Sequence, residues 1–145
     1  VGVVAAQTAN PGRVGAVVGF DEDLAHLMQG GVDVLLVPSR FEPCGLTQLY
    51  SLRYGTIPIV RKTGGLADTV VPYRPSTTLA GKATGFLFSD VSEDSLLAAL
   101  LLAIKVYADQ NVWKSIQQTA MSVDCSWERS ARQYVEVFRQ VGGRE

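Results

Sequence analysis

The chain has 145 residues and a net charge of −1, so it lacks the basic surplus that marks a nucleic-acid footprint. With 47% apolar and 19% charged residues, it has the core-forming composition that excludes a disordered tail. Its two cysteines, Cys44 and Cys125, are too few for a disulfide framework and are expected as reduced thiols in a cytosol-like compartment, and its longest apolar run, Leu96 to Ile104, is far short of a membrane span.

Val1 to Gln7 is ambiguous: its valines favour a strand and its alanines a helix. It opens with Val rather than Met and shows no cap or turn signal, which fits a chain cut from something longer and equally a start left by cloning or processing. After the Asn10-Pro11-Gly12 turn, Arg13 to Val18 reads as a strand. Asp21 to Gln29 reads as a helix with acids in its first turn, Leu24, Leu27 and Met28 on one face, and Gly30-Gly31 at its end. Asp33 to Val37 carries an unbroken Val-Leu-Leu-Val, the pattern of a strand buried on both faces of a parallel sheet. Gly45 to Tyr54 is the next predicted helix, with Gly55 as its C-cap. Ile57 to Val60 is the next strand, although Pro58 is awkward in a sheet centre.

Leu66 to Val70 reads as a short helix. Val71 to Thr84 is rich in Pro, Ser and Thr and reads as a surface loop, and Gly85 to Phe88 is a fourth strand. Three helices follow: Glu93 to Tyr107 behind a Ser92 cap, Val112 to Met121 with Trp113 and Ile116 as core anchors, and Trp127 to Gln140 behind Ser126. In the last of these Tyr134, Val137, Phe138 and Val141 share one side. Strand–helix alternation predicts a Rossmann-like, doubly wound α/β sheet followed by C-terminal helices. Four strands alone leave an open sheet edge, a second sign of a longer parent chain.

The stretch from Leu35 to Val70 carries the chemistry. A buried strand ends near Val37, the following loop holds Glu42 against Pro43, and a helix begins near Gly45. Ligands of doubly wound sheets bind at the carboxyl ends of strands, and a helix N-terminus offers free amides and partial positive charge to a phosphate. Gly45 allows close approach, and the Thr47 hydroxyl adds a donor. Glu42 would repel a phosphate it faced, so beside a bound anion it suits sugar hydroxyls. A solvated loop acid and a plain turn glycine satisfy the same pattern.

The segment Pro38-Ser-Arg-Phe-Glu-Pro-Cys-Gly-Leu-Thr-Gln-Leu-Tyr50, with Arg53-Tyr-Gly-Thr-Ile-Pro58 and Thr63-Gly-Gly-Leu-Ala-Asp-Thr69 behind it, resembles the bacterial glycogen synthase and plant starch synthase family. The resemblance runs from the Asn10-Pro-Gly turn to the last helix. It implies a retaining GT-B glycosyltransferase that moves glucose from ADP-glucose to the non-reducing end of an α-1,4-glucan. The whole chain, 1–145, would be part of the C-terminal, nucleotide-sugar-binding lobe, with the N-terminal lobe of the same enzyme absent. The setting would be a bacterial cytoplasm, or the plastid stroma in a plant.

Carried over residue by residue, the resemblance makes Glu42 the catalytic donor-site acid that contacts the transferred sugar. It places Cys44 beside the glucosyl unit and gives the amides of Gly45, Leu46 and Thr47, with the Thr47 hydroxyl, to the diphosphate. Phe20 falls where family members often carry Tyr against adenine; its ring can stack but lacks the phenol hydroxyl. Tyr50 stands where Glu-x7-Glu relatives have a second Glu, which agrees with the synthase branch. The family's diphosphate-binding Arg and Lys would lie upstream of this chain, so the isolated chain is expected to be inactive. A UDP-sugar transferase or epimerase of the same fold, and a non-catalytic glucan-binding module, remain the other readings.

Other signals point to structure. Asp21-Glu22-Asp23 matches a metal-binding Asp-x-Asp but opens a helix, where acids favour the macrodipole, and the resemblance implies neither metal nor cofactor. Lys62-Thr-Gly-Gly-Leu66 looks like the loop after a C-lobe strand, and Lys62 is not read as a catalytic lysine. His26 has no acid or nucleophile at catalytic spacing. Cys125 is expected as a packed thiol, and Trp113 and Trp127 as core residues. Neither a nucleic-acid nor a membrane partner is indicated.

Overall fold

A computed structural model describes residues 2–142. Helix α1 (Gly2–Ala9) resolves the ambiguous opening in favour of helix, and Val1 lies outside the described residues. Helix α2 (Glu22–Gly31) follows, started by Asp21, whose carboxylate accepts the Leu24 N–H at 2.9 Å. Strand β1 (Val34–Val37), helix α3 (Thr47–Tyr54) and strand β2 (Ile57–Arg61) come next. Gly55 ends α3 in the left-handed region, φ 78°, with its N–H turned back to the Leu52 and Ser51 carbonyls. Beyond β2 lie α4 (Gly64–Thr69), α5 (Pro75–Leu79), β3 (Phe86–Phe88), α6 (Glu93–Tyr107), α7 (Gln110–Met121) and α8 (Trp127–Gly142).

The sheet is parallel throughout in the order β1-β2-β3, with Leu35 opposite Pro58 and Val60 opposite Leu87. The predicted α/β class therefore holds, with three strands among the described residues instead of four. Arg13 to Val18 is not a strand: it is irregular, and Val17 and Val18 are 71% and 87% exposed. β-Branched residues make a strand only where a neighbour supplies hydrogen bonds and a packing face, and among the described residues no strand pairs with this segment. The predicted loop 71–84 contains α5, which Pro75 starts at a first-turn position and Thr77 closes by accepting the Arg74 N–H at 2.8 Å.

Pro58 sits fully buried in the central strand. The Ile57 N–H reaches the Asp33 carbonyl at 3.1 Å on the β1 side. By alternation the missing Pro58 N–H falls on the β3 side, ahead of the first β2–β3 pair, Ile59 with Phe86. Gly85 fills that place, and a Cβ there would strike the Pro58 carbonyl.

Each face of β2 buries its own cluster. Ile57 and Ile59 pack with Leu52 of α3, Phe86 and Phe88 of β3, Ala99 and Ala103 of α6, and Trp113 and Ile116 of α7. Trp113 stacks on Phe86 at 6.2 Å and meets Tyr107 edge-on at 5.1 Å. On the opposite face Val60 packs with Leu66 and Val70 around α4. Two of the three buried positions of α6, Ala99 and Ala103, are alanines, which lets the helix lie close to the sheet, and the third is Val106; its leucines Leu97 and Leu101 stay exposed. Helix α8 has the predicted apolar side, but none of its residues is buried. Trp127 is 85% exposed and Cys125 is also exposed, so neither takes the packed place expected of it. Both follow the end of α7, beyond the last core contact at Ala120.

Candidate functional site

The carboxyl ends of all three strands open on one rim, where doubly wound sheets hold their ligands. The loop after β1, residues 38–46, lies on that rim beside the end of the central strand β2. Arg61, the last residue of β2, reaches back beneath it: Nε donates to the Ser39 carbonyl at 2.8 Å, Nη2 to the Arg40 carbonyl, and Nη1 to the Ser89 carbonyl at 3.5 Å. One guanidinium thus ties the loop after β1 to the segment after β3. Ser39 in turn donates its hydroxyl to Glu42 Oε2 at 3.4 Å. Glu42 itself is half-buried.

Gly64 and Gly65 support the same loop from the α4 side. The Gly65 N–H is shared between the Glu42 carbonyl at 3.2 Å and the Pro43 carbonyl at 3.3 Å. A Cβ on Gly64 would overlap the Glu42 carbonyl, and one on Gly65 the Cys44 carbonyl. The helix was expected to begin at Leu66. It begins instead at two glycines, because only glycine lets this backbone lie against residues 42–44.

Gln48 is the third support. It is fully buried on the inner side of α3, and its Nε2 lies 2.7 Å from the Gly45 carbonyl and 3.1 Å from both the Cys44 carbonyl and Thr69 Oγ1. Thr69 passes its own proton to the Gly65 carbonyl at 2.6 Å. The start of α3 and the whole of α4 are therefore one hydrogen-bonded unit. Gln48 Oε1 has no partner, which is the expected cost of aiming the amide N–H groups at three acceptors.

Five of the six residues singled out in the sequence lie together on this loop. Glu42 and Gly45 are half-buried, while Cys44, Leu46 and Thr47 are exposed. Gly45 has φ +75°, outside the helix it was expected to start, so α3 begins two residues later, at Thr47. Leu46 is the N-cap, and no side chain caps the helix. The first amides of α3 are thus open to an outside acceptor. Phe20 stands apart, 95% exposed on the irregular segment before α2. Asp21 is spent on capping α2. His26 packs between Tyr50 and Tyr54, with Nδ1 3.1 Å from the Tyr54 hydroxyl, and serves to join α2 to α3.

Arg61, Gln48, Gly64 and Gly65 escaped the sequence reading as site residues. Gln48 carries a usable signal: it lies four residues before Leu52, on the core side of the helix, where a polar residue calls for a reason.

A cleft of about 740 Å³ runs from Leu46 along α3, where Tyr50 and Arg53 face Asp124, Ser126 and Trp127. It does not include Glu42, and the convergence of an acid with a helix start favours the rim of the sheet instead. Hydrogen bonds from Ser126, helped by Arg129 and Arg132, hold the Asp124 carboxyl below its ordinary value.

Comparison with known proteins bears on the family and the fold. The family model described as glycosyl transferases group 1 matches residues 5–119. A glycogen synthase of Rhodopseudomonas palustris is 52% identical over 92% of this chain, and one of Roseobacter denitrificans is 50% identical over 97%. The chain spans only 27% and 29% of those relatives' length. Among solved structures, the catalytic domain of starch synthase IV from Arabidopsis thaliana, bound to ADP and acarbose, superposes with a TM-score of 0.83 at 36% identity, covering 97% of this chain and 29% of that one.

Proposed function

The chain belongs to the group 1 glycosyl transferases, and from that membership we propose that it forms the donor-binding part of the C-terminal lobe of an α-1,4-glucan synthase using ADP-glucose. The observation that carries the proposal is the uncapped start of α3 beside half-buried Glu42, on the rim of a parallel sheet. The relatives named glycogen synthase, and the starch synthase structure bound to ADP, supply the donor and acceptor classes.

In the proposed reaction the bond between the glucosyl C1 and the diphosphate oxygen breaks, and an acceptor hydroxyl bonds to C1 on the same face as it gives up its proton to the departing diphosphate oxygen. Negative charge grows on the departing ADP and positive charge on the sugar. The amides at Leu46 and Thr47 and the Thr47 hydroxyl face the first charge as dipoles already in place. Glu42, held by Ser39, orients the glucose and favours the second charge. Gly45, at φ +75° and with no room for a Cβ against the buried Gln48 amide, makes the turn that leads into those amides. The acceptor glucan would be held by the N-terminal lobe.

Titration of the chain with ADP up to millimolar levels, followed by backbone amide NMR shifts, tests the reading. Saturable shifts at Gly45 to Thr47 and at Phe20, weaker with UDP and lost in Thr47→Ala, are the expected result. Equal response to UDP would favour a UDP-sugar enzyme. Binding of α-1,4-glucan oligomers that survives Glu42→Gln and Thr47→Ala would favour a glucan-binding module.

A further inference from the structure

We infer that Arg61 is a positioning residue for Glu42, holding the acid's loop at the geometry the glucosyl transfer needs. Arg61 makes no ion pair among the described residues. Its side chain is half-buried, and its guanidinium is given entirely to backbone carbonyls: Ser39 and Arg40 after β1, and Ser89 after β3. Charge-assisted hydrogen bonds to carbonyls are about twice as strong as neutral ones, and a planar fork can take several acceptors at fixed angles where an ammonium cannot.

The two carbonyls after β1 belong to the residues directly before Phe41-Glu42. Ser39, whose peptide Arg61 grips, also carries the hydroxyl that reaches Glu42 Oε2. Position passes from the end of the central strand to the peptide of Ser39, and from the Ser39 hydroxyl to the carboxylate. The support by Gly65 acts on the Glu42 main chain itself. Arg61 acts on the segment leading into it. A displacement near 1 Å of a reacting group commonly costs about 10²-fold in rate, so loosening this grip is expected to appear in turnover more than in donor affinity.

The catalytic consequence rests on the proposed donor-site reading; the effect on the loop does not. Two experiments keep them apart. In the 145-residue chain, nitrogen-15 relaxation is measured for the parent, Arg61→Lys and Arg61→Met. Lower order at Phe41, Glu42 and Cys44 in both variants, with Trp113 and Ile116 unchanged, is expected. Retained order at those three amides overturns the inference whatever the function.

In the second, this chain replaces the matching segment of the Rhodopseudomonas palustris relative, and kcat and KM for ADP-glucose are measured well below the melting temperature of each variant. Arg61→Lys is expected to lower kcat by about 10- to 100-fold with KM within about 2-fold, so that keeping the charge does not rescue turnover. Unchanged kcat, or a rise in KM alone, overturns the positioning role. A parent hybrid that is folded but inactive counts against the donor-site reading, and the relaxation experiment still decides the effect of Arg61 on the loop.

Discussion

The N–H of Gly65 donates to the carbonyl of Glu42 at 3.2 Å, so the acid on the rim is held by a backbone contact from the helix after the next strand. The contact exists because neither Gly64 nor Gly65 has a side chain. It joins residues more than twenty positions apart and sets where Glu42 stands relative to the open amides of α3.

Gly65→Ala tests that contact. The new Cβ would overlap the Cys44 carbonyl, which is backbone and cannot swing aside. Overpacking of this kind costs about 1–3 kcal/mol. Urea unfolding should show that loss. The amide shifts of Glu42, Cys44 and Gly45 should move together, and ADP binding should weaken. An unchanged unfolding midpoint with unchanged shifts would mean that the two segments are not in contact.

Glu42→Gln separates sugar from nucleotide. The proposed partner of Glu42 is the transferred glucose, and that of Thr47 is the diphosphate. In the hybrid enzyme, Glu42→Gln is expected to lower kcat by about 10²- to 10³-fold, the usual cost of removing one transition-state contact. Affinity for ADP should hardly change. Thr47→Ala should weaken ADP itself. Equal loss of ADP affinity in both variants would place Glu42 at the nucleotide.

Much of this was legible in the sequence because local signals and tertiary structure agree. The Val-Leu-Leu-Val run, the Gly55 cap and the Ser92 cap each mark an element that the fold keeps, although β1, at the edge of the sheet, is not buried on both faces as its composition predicts: Leu36 is 43% exposed. Three of the failures share one physical cause, dependence on a distant partner. Arg13 to Val18 has the composition of a strand and nothing beside it to pair with. The two glycines opening α4 are poor helix formers, and their purpose is visible only when residues 42–44 lie against them. Arg61 reads as the polar end of a strand until three carbonyls from two other loops converge on it. The Glu42-to-Thr47 cluster was legible because one short loop carries all of it; Phe20, from another segment, stands 95% exposed.

The two tryptophans should behave oppositely. Trp113 is 1% exposed and stacked on Phe86, whereas Trp127 is 85% exposed. Trp113→Ala is expected to cost about 3–5 kcal/mol through the cavity it leaves. Trp113→Phe should cost less, because the indole N–H has no partner to lose. Trp127→Ala in the chain should stay within about 0.5 kcal/mol. Thermal unfolding of the three variants checks the ranking, and a large loss in Trp127→Ala would show that α8 packs more tightly than its exposure indicates.

Acid should loosen the start of α8 before the core. Asp124 Oδ1 accepts the Ser126 N–H at 2.9 Å, and the Ser126 hydroxyl lies 3.3 Å from the Arg129 N–H it caps. Hydrogen bonds from Ser126 are the main cause that holds the Asp124 carboxyl below its ordinary value, with Arg129 and Arg132 adding to them. A carboxyl whose folded value is depressed stabilises the fold above its unfolded value, about 3.9, and loses that contribution as pH falls through the lower folded value. Amide shifts of Ser126 and Arg129 followed from pH 6 down to pH 2 should therefore move below about pH 4, while those of Trp113 hold. In Asp124→Asn that local transition should vanish. If it persists in the variant, another carboxyl controls the helix start, and Glu128 in the first turn of α8 is the next to replace.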